Sequence, residues 1–195
     1  TFFPPEEVIF AAGTPKEYRF VFVDGGITTY NNPAFQAFIM ATAEPYNLTW
    51  PAGEGQLLIV SVGTGTSPDA NKGLEKDDVN LIYNATKIPS ALMFAALNEQ
   101  DLLCRVFGRC LAGDQLDREV GDLIGKTGPV SPKLFTYMRY NAELSREGLE
   151  SLGLEKIEPK HVQQLDSTDH IEDLQTVGKT IGKHKVLPAH FKGFA

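Results

Sequence analysis

Residues 18–34, YRFVFVDGGITTYNNPA, decide the fold that the sequence predicts. The segment 18–23 is aromatic and β-branched apart from Arg19, and such a nearly continuous apolar run predicts an interior strand that is buried on both faces. Asp24-Gly25-Gly26 ends this strand in a turn. Asn31-Asn32-Pro33 then predicts a helix start, because asparagine caps helices and proline fits their first turn.

A second apolar run follows the predicted helix. Residues 57–62, LLIVSV, predict another buried strand, and the glycine-rich turn Gly63-Thr64-Gly65-Thr66 comes directly after it. A strand–helix–strand unit with buried strands implies parallel pairing, so the sequence predicts an α/β fold with parallel strands and flanking helices. Ligands bind beyond the carboxyl ends of such strands. We therefore expect Asp24 and the 63–66 turn to lie at the same sheet edge.

The rest of the chain has a more helical pattern. Apolar residues at helical spacing from Pro89 to Cys110 predict a helix that packs on the core, and residues 135–141, FTYMRYN, predict an extended segment. Short helices are expected from Ser145 onward. We predict that residues 1–144 form the α/β domain and that residues 145–195 form a helical C-terminal extension packed on it.

The composition excludes several classes of protein. The chain has 25 acidic and 18 basic residues, a net charge of −7, and its Lys and Arg residues are scattered, which argues against a nucleic acid partner. No apolar run reaches the roughly 18 residues of a membrane-spanning helix. The first residues lack the pattern of a signal peptide, so a cytoplasmic protein is expected, although a signal removed earlier would leave no trace.

Cysteine and histidine spacing predicts neither a disulfide nor a metal site. Cys104 and Cys110 are expected on different faces of one helix, too poorly aligned for an intrachain disulfide. The four histidines are scattered through the polar C-terminal third, with no Cys/His cluster: His161, His170, His184 and His190. We therefore predict no metal and no cofactor.

Asp24 is the residue of the chain that best fits acid–base chemistry. A carboxylate at the end of a buried strand, followed by two glycines, forms either an ordinary Asp-Gly-Gly turn or a general base that another group can approach closely. The 63–66 turn could hold a phosphate but lacks the lysine of a P-loop and the spacing of a dinucleotide fingerprint. No serine stands in a GxSxG motif, and Ser61 lacks the leading glycine.

Three segments in order resemble the second half of a patatin-like phospholipase domain, especially that of bacterial proteins. They are TFFPPE (1–6), FVDGGITTYNNPA (22–34) and LLIVSVGTGTS (57–67), and LCRVFG (103–108) and MRYN (138–141) extend the resemblance along the chain. The resemblance implies a partial patatin-like sheet and a Ser-Asp dyad, with the serine in GxSxG and the aspartate in DG[GA]. It therefore implies that Asp24 is catalytic and that Gly25 and Gly26 support it.

The resemblance also implies what the chain would need from elsewhere. The GxSxG serine and the glycine-rich oxyanion-hole segment of the family are absent from the 195 residues. We therefore expect one part of a hydrolase of lipid or other acyl esters, inactive alone, that self-associates or pairs with a missing N-terminal half. Two alternatives are a non-catalytic patatin-fold module that binds protein or lipid, and a phosphate-binding protein that uses residues 62–66.

Overall fold

The computed structural model of the chain describes residues 4–67, 81–164 and 168–194. The strands and helices in these ranges are β1 (Glu6–Phe10), β2 (Tyr18–Phe22), α1 (Ala34–Thr42), β3 (Leu58–Val62), α2 (Leu81–Phe107), β4 (Arg109–Ala112), β5 (Thr136–Tyr140), α3 (Arg146–Ser151), α4 (Pro159–Gln163) and α5 (Ile171–Lys185). Short 3₁₀ turns connect several of them, including Gly25–Ile27 and Thr29–Asn31 ahead of α1.

A parallel sheet in the strand order β3-β5-β4 forms the centre of the fold. Both β3 and β4 pair with β5 in parallel, and all five residues of β5 are buried. The predicted α/β class with parallel strands is confirmed, and so is the predicted extended segment at residues 135–141, which contains β5.

The predicted place of residues 18–23 is wrong. β2 pairs with β1 in an antiparallel hairpin, not with β3, and all five of its residues are exposed. A run of apolar residues predicts only that burial of the strand would be favourable. It does not predict which strand will pair with it. The short connection 11–17 places β1 beside β2, and strands that follow each other closely along the chain usually pair with each other.

Side chains of the central strand alternate between two hydrophobic cores. On one side, Phe135 and Tyr137 pack with Phe38 of α1 and with Cys104 of α2. On the other side, Met138 and Tyr140 pack with residues that come from or flank α3, α4 and α5: Leu149, Ile157, Val162, Val177 and Ile181. Because successive residues of a strand face opposite ways, the sheet lies between two helical layers, and the C-terminal helices form one of them.

The long helix α2 has different ends from those that the sequence predicts. It begins at Leu81, so Pro89 lies within it, and it ends at Phe107, so Cys110 lies in β4 and not in the helix. Gly108 marks the change: its N–H donates to the carbonyl of Cys104 at 2.8 Å, and a Cβ here would clash with Phe135. The thiols of Cys104 and Cys110 are buried and free.

Candidate functional site

Asp24 forms the turn that its sequence context predicts. It is half-buried, and its Oδ1 accepts a hydrogen bond of 2.8 Å from the N–H of Gly26, which caps the 3₁₀ turn Gly25–Ile27. Among the described residues, no hydrogen bond or ion pair occupies the other oxygen, Oδ2. The hydrogen bond to Oδ1 therefore orients the carboxylate. Oδ2 can accept a hydrogen bond or a proton from a group outside the described residues.

Gly26 allows the close packing of this turn against α2. A Cβ at position 26 would lie 3.2 Å from Asp24 Oδ1 and also 3.2 Å from Cε of Met93. Both separations are shorter than ordinary contact distances, so a side chain would push the carboxylate and the helix apart. The second glycine of Asp-Gly-Gly thus has a packing role that the sequence context alone does not reveal.

The described contacts do not bring Asp24 together with the glycine-rich turn 63–66 as expected. The turn follows β3 at the carboxyl end of the parallel sheet, whereas Asp24 follows β2, which belongs to the separate hairpin. No hydrogen bond or ion pair within the described residues joins the two. β2 pairs with β1 and not with a strand of the parallel sheet, so the basis of that expectation does not hold.

A cavity of about 300 Å³ lies instead at the carboxyl end of β3. Its described lining combines the start of α1, the glycine-rich turn and polar side chains that include Asn32, Ser61 and Arg139. Arg139 Nη1 donates to Ser61 Oγ at 2.6 Å, and Ser61 Oγ donates to Asn32 Oδ1 at 3.1 Å. All three residues are buried. This chain of hydrogen bonds ties the central strand β5 through β3 to the residue before Pro33.

Asp101 of α2 is the negative partner of two buried arginines. It accepts two hydrogen bonds from Arg105, at 2.9 and 2.8 Å, and one of 2.9 Å from the hydroxyl of Tyr137. Its Oδ2 also lies 3.8 Å from Nε of Arg139. One carboxylate therefore faces two guanidinium groups, so this group of three buried side chains is net positive.

Burial and this carboxylate shift the proton equilibria of the neighbouring groups. Burial raises the pKa of Tyr137, and the negative charge of Asp101 raises it further, so the phenol stays protonated and keeps donating. Burial alone would lower the pKa of Arg105, but the hydrogen bond and the charge of Asp101 outweigh it and raise that pKa. Burial also raises the pKa of Cys104 to about 12 and that of Cys110 to about 11.

Two of the histidines that are scattered through the C-terminal third of the sequence meet in the structure. The rings of His161 and His170 stack at 3.6 Å, and their Nδ1 atoms lie 3.4 and 3.7 Å from Oδ2 of Asp173. These spacings are near the roughly 3.4 Å between ligands of a tetrahedral zinc ion. However, the rings are parallel within 6°, so they would have to open before both nitrogens could point at one ion. As it stands, the cluster connects α4 to the start of α5.

Sequence reasoning missed the charged residues that organise this region. Asp101 and Arg105 stand four residues apart in the part of α2 that contributes Cys104 to the core, a spacing that favours ion pairs. Arg139 is the single charge in the strand TYMRY. A buried charge must have a partner, so a charge inside an apolar pattern was the available signal. The partner itself could not be read from the sequence, because it depends on how α2 crosses the sheet.

Comparisons with known proteins give no family for this chain. No protein-family model, no curated protein and no solved structure matches it. The fold defines a mixed α/β protein with a three-stranded parallel sheet. The resemblance to patatin-like phospholipases therefore depends on the sequence motifs. Among the described residues, none of the helices combines the length and apolarity needed to cross a bilayer.

Proposed function

We propose that the chain is part of a patatin-like lipid acyl hydrolase and that Asp24 is the aspartate of its Ser-Asp dyad. The observation that carries the proposal is the state of the carboxylate. One oxygen is held by the N–H of Gly26, and the other has no partner within the described residues. The match of Asp24-Gly25-Gly26 to the DG[GA] motif supports the same role.

In this mechanism Asp24 acts as a general base without a histidine. Its Oδ2 takes the proton of a serine hydroxyl while the serine oxygen attacks the ester carbonyl, and the proton then passes to the departing alcohol. The hydrogen bond to Gly26 holds the carboxylate in one orientation during both steps. General-base assistance of this kind contributes about 10²- to 10⁴-fold to the rate.

The 195 residues alone should hydrolyse no ester, since they contain no serine in a GxSxG motif. The test is an assay of the purified chain with a short-chain nitrophenyl ester and with a phospholipid. We expect no turnover above that of buffer. Turnover that disappears in Asp24→Ala would place the nucleophile within these residues. It would contradict the proposal that the serine of the dyad lies outside them.

The alternative is a non-catalytic module that binds protein or lipid through the same fold. The observation that favours it is the capping bond from Gly26 to Asp24, which gives the aspartate a structural role without any catalysis. The coding sequence immediately upstream of Thr1 separates the two proposals. A GxSxG serine with a glycine-rich loop supports the hydrolase, and an upstream segment without them supports the module.

We also propose that the chain associates with a second copy of itself through the hairpin of β1 and β2. Aromatic side chains of this hairpin stay half-exposed: Tyr18 at 52%, Phe20 at 55% and Phe22 at 52%. Exposed apolar faces and open strand edges favour pairing with another chain. Light scattering should give a mass above 21.4 kDa, and Phe20→Ser should lower it. A wild-type monomer would contradict this proposal.

A further inference from the structure

The cavity at the carboxyl end of β3 carries an unbalanced positive charge. Among the described residues that line it, Arg139 is the one charged side chain, and none is acidic. Arg139 is only 6% exposed, and both oxygens of the carboxylate paired with it, Asp101, already accept hydrogen bonds from Arg105. A buried charge without a full partner is costly, so this site favours an anion that completes the pairing.

The same cavity also contains hydrogen-bond donors without partners. Nδ2 of Asn32 is the one buried side-chain nitrogen or oxygen of the described residues that lacks a hydrogen bond, and Asn32 is 2% exposed. Its Oδ1 already accepts from Ser61, which leaves the amide nitrogen free to donate. Nη2 of Arg139 also has no hydrogen-bond partner within the described residues, since the bonds of this guanidinium use Nη1 and the ion pair uses Nε.

Gly63 leaves space beside the guanidinium of Arg139, and the start of α1 adds to the positive potential of the cavity. A Cβ at Gly63 would clash with Asn141 and would lie 3.1 Å from Nη2 of Arg139, so glycine keeps this approach open. Pro33 and Ala34, at the start of the nine-residue helix α1, line the opposite wall. The amino end of a helix carries a partial positive charge, which also favours an anion. The N–H of Ala34 is not itself free for a ligand, because it donates to Oδ1 of Asn32 at 3.4 Å.

We propose that this cavity binds the phosphoryl group of a small phosphate ester, held by Nη2 of Arg139 and Nδ2 of Asn32. Phosphoryl oxygens accept several hydrogen bonds at once and match the planar donors of a guanidinium. The volume of about 300 Å³ leaves space for an organic group beside the phosphate. In this site the glycine-rich turn 63–66 leaves space for the phosphoryl group, and the side chains of Arg139 and Asn32 donate the hydrogen bonds. The proposal does not depend on a catalytic role for Asp24.

A second, larger cavity of about 440 Å³ does not have this selectivity. It shares Arg139 and Asn141 with the first, but three acidic side chains line it together with the basic ones: Asp101, Asp114 and Glu143. Its mixed charge favours neither sign of ligand. The smaller cavity is therefore the one whose described lining selects for an anion.

The test is a titration of the full chain with inorganic phosphate, glycerol 3-phosphate and dihexanoyl phosphatidate below its micellar concentration. Nitrogen-15 NMR follows the side-chain signals of Arg139 and Asn32, and calorimetry gives the affinity. We expect saturable binding with a Kd below about 1 mM for at least one phosphoryl compound, with shifts of both signals. Tightest binding of the phosphatidate would identify a lipid headgroup as the source, and equal binding of inorganic phosphate would identify free phosphate.

Two variants and a matched control make this test decisive. Arg139→Gln should weaken binding by at least about 10-fold, because a charge-assisted hydrogen bond is lost. Asn32→Asp keeps the size of the side chain, adds a negative charge and should also abolish binding, so it decides the matter if Arg139→Gln does not fold. Arg109→Gln changes an exposed arginine of the neighbouring strand and should bind normally. Absence of binding at about 10 mM by every probe, or equal loss in Arg109→Gln, would overturn the proposal.

Discussion

Two strands of this protein are alike in composition and opposite in environment. β2, YRFVF, and β5, TYMRY, are both aromatic and each contains one arginine. Every residue of β2 is exposed, whereas every residue of β5 is buried. Arg19 forms an exposed ion pair with Glu7 at 3.2 Å, while Arg139 lies buried beside Asp101. The difference shows that neighbours, more than composition, decide whether an aromatic strand is in the core.

The largest expected difference between the strands concerns their tyrosines. Tyr137→Ala should lower the free energy of unfolding by about 3 to 5 kcal/mol, because it leaves a cavity in the core and removes a hydrogen bond to Asp101. Tyr18→Ala should cost only about 0.5 to 1.5 kcal/mol, since Tyr18 loses mainly its stacking with Phe10 at 5.0 Å. Urea unfolding measures both. Equal losses would mean that the hairpin is buried in solution.

The ion pairs should show the second largest difference. Asp101→Asn should cost about 3 kcal/mol, because it leaves two buried guanidinium groups without a negative partner. Glu7→Gln breaks the matching pair of the hairpin, which is exposed to solvent and should cost less than about 1 kcal/mol. Urea unfolding at low salt and at 0.5 M salt compares the variants. A stable Asp101→Asn protein would contradict the view that this carboxylate balances the buried charge.

The effect expected to be smallest at neutral pH, and to grow above pH 9, is the pH dependence of stability that the two buried thiols cause. Burial raises the pKa of Cys104 to about 12 and that of Cys110 to about 11, from 9.0. Both thiols are protonated in either state below pH 9, and above it the unfolded chain loses protons first. Stability should therefore fall between pH 9 and pH 11, by up to about 1 kcal/mol per pH unit for each thiol.

Cys110→Ala is the control for this pH dependence. It should remove part of the slope of unfolding free energy against pH above pH 9, measured by urea unfolding at several pH values. Any remaining slope includes Cys104 and Tyr137, whose pKa values burial also raises. An unchanged slope in Cys110→Ala would show that the thiol is accessible to water, contrary to its 3% exposure.

The comparison of the two strands also shows what the sequence could predict. Continuous apolar runs located β2 and β3. The strand–helix–strand pattern that these runs form with α1 predicted a parallel α/β sheet, which the structure contains, although β2 is not one of its strands. The same rule misplaced β2, because a run of apolar residues fixes the tendency toward burial but not the partner strand. It also could not place Arg139 beside Asp101, since that contact depends on the crossing of α2 over β5.

The candidate site, like the fold, could be predicted from the sequence only in part. The context of Asp24 predicted its turn, which the capping bond from Gly26 confirms. Its proposed catalytic role depends on the motif and on the unpartnered Oδ2, and proton transfer also needs a serine, which the 195 residues do not place in a GxSxG motif. The cavity at β3 was only half predictable: the glycine-rich turn indicated space at the sheet edge, but the donors come from Asn32 and Arg139, which lie far from it in sequence.

The central claim, that Asp24 is the base of a Ser-Asp dyad, is tested most directly by one rate ratio. The protein to be assayed is the longer polypeptide that the proposal requires, in which the segment with the GxSxG serine precedes these 195 residues. Its hydrolysis of a nitrophenyl ester is measured for the wild type, for Asp24→Asn and for Asp169→Asn, an exposed control. Asparagine keeps the acceptor for the N–H of Gly26 but cannot serve as a base. We expect kcat to fall about 10²- to 10⁴-fold in Asp24→Asn and to stay unchanged in Asp169→Asn. A fall of less than about tenfold, or no activity in the wild type, would contradict the claim.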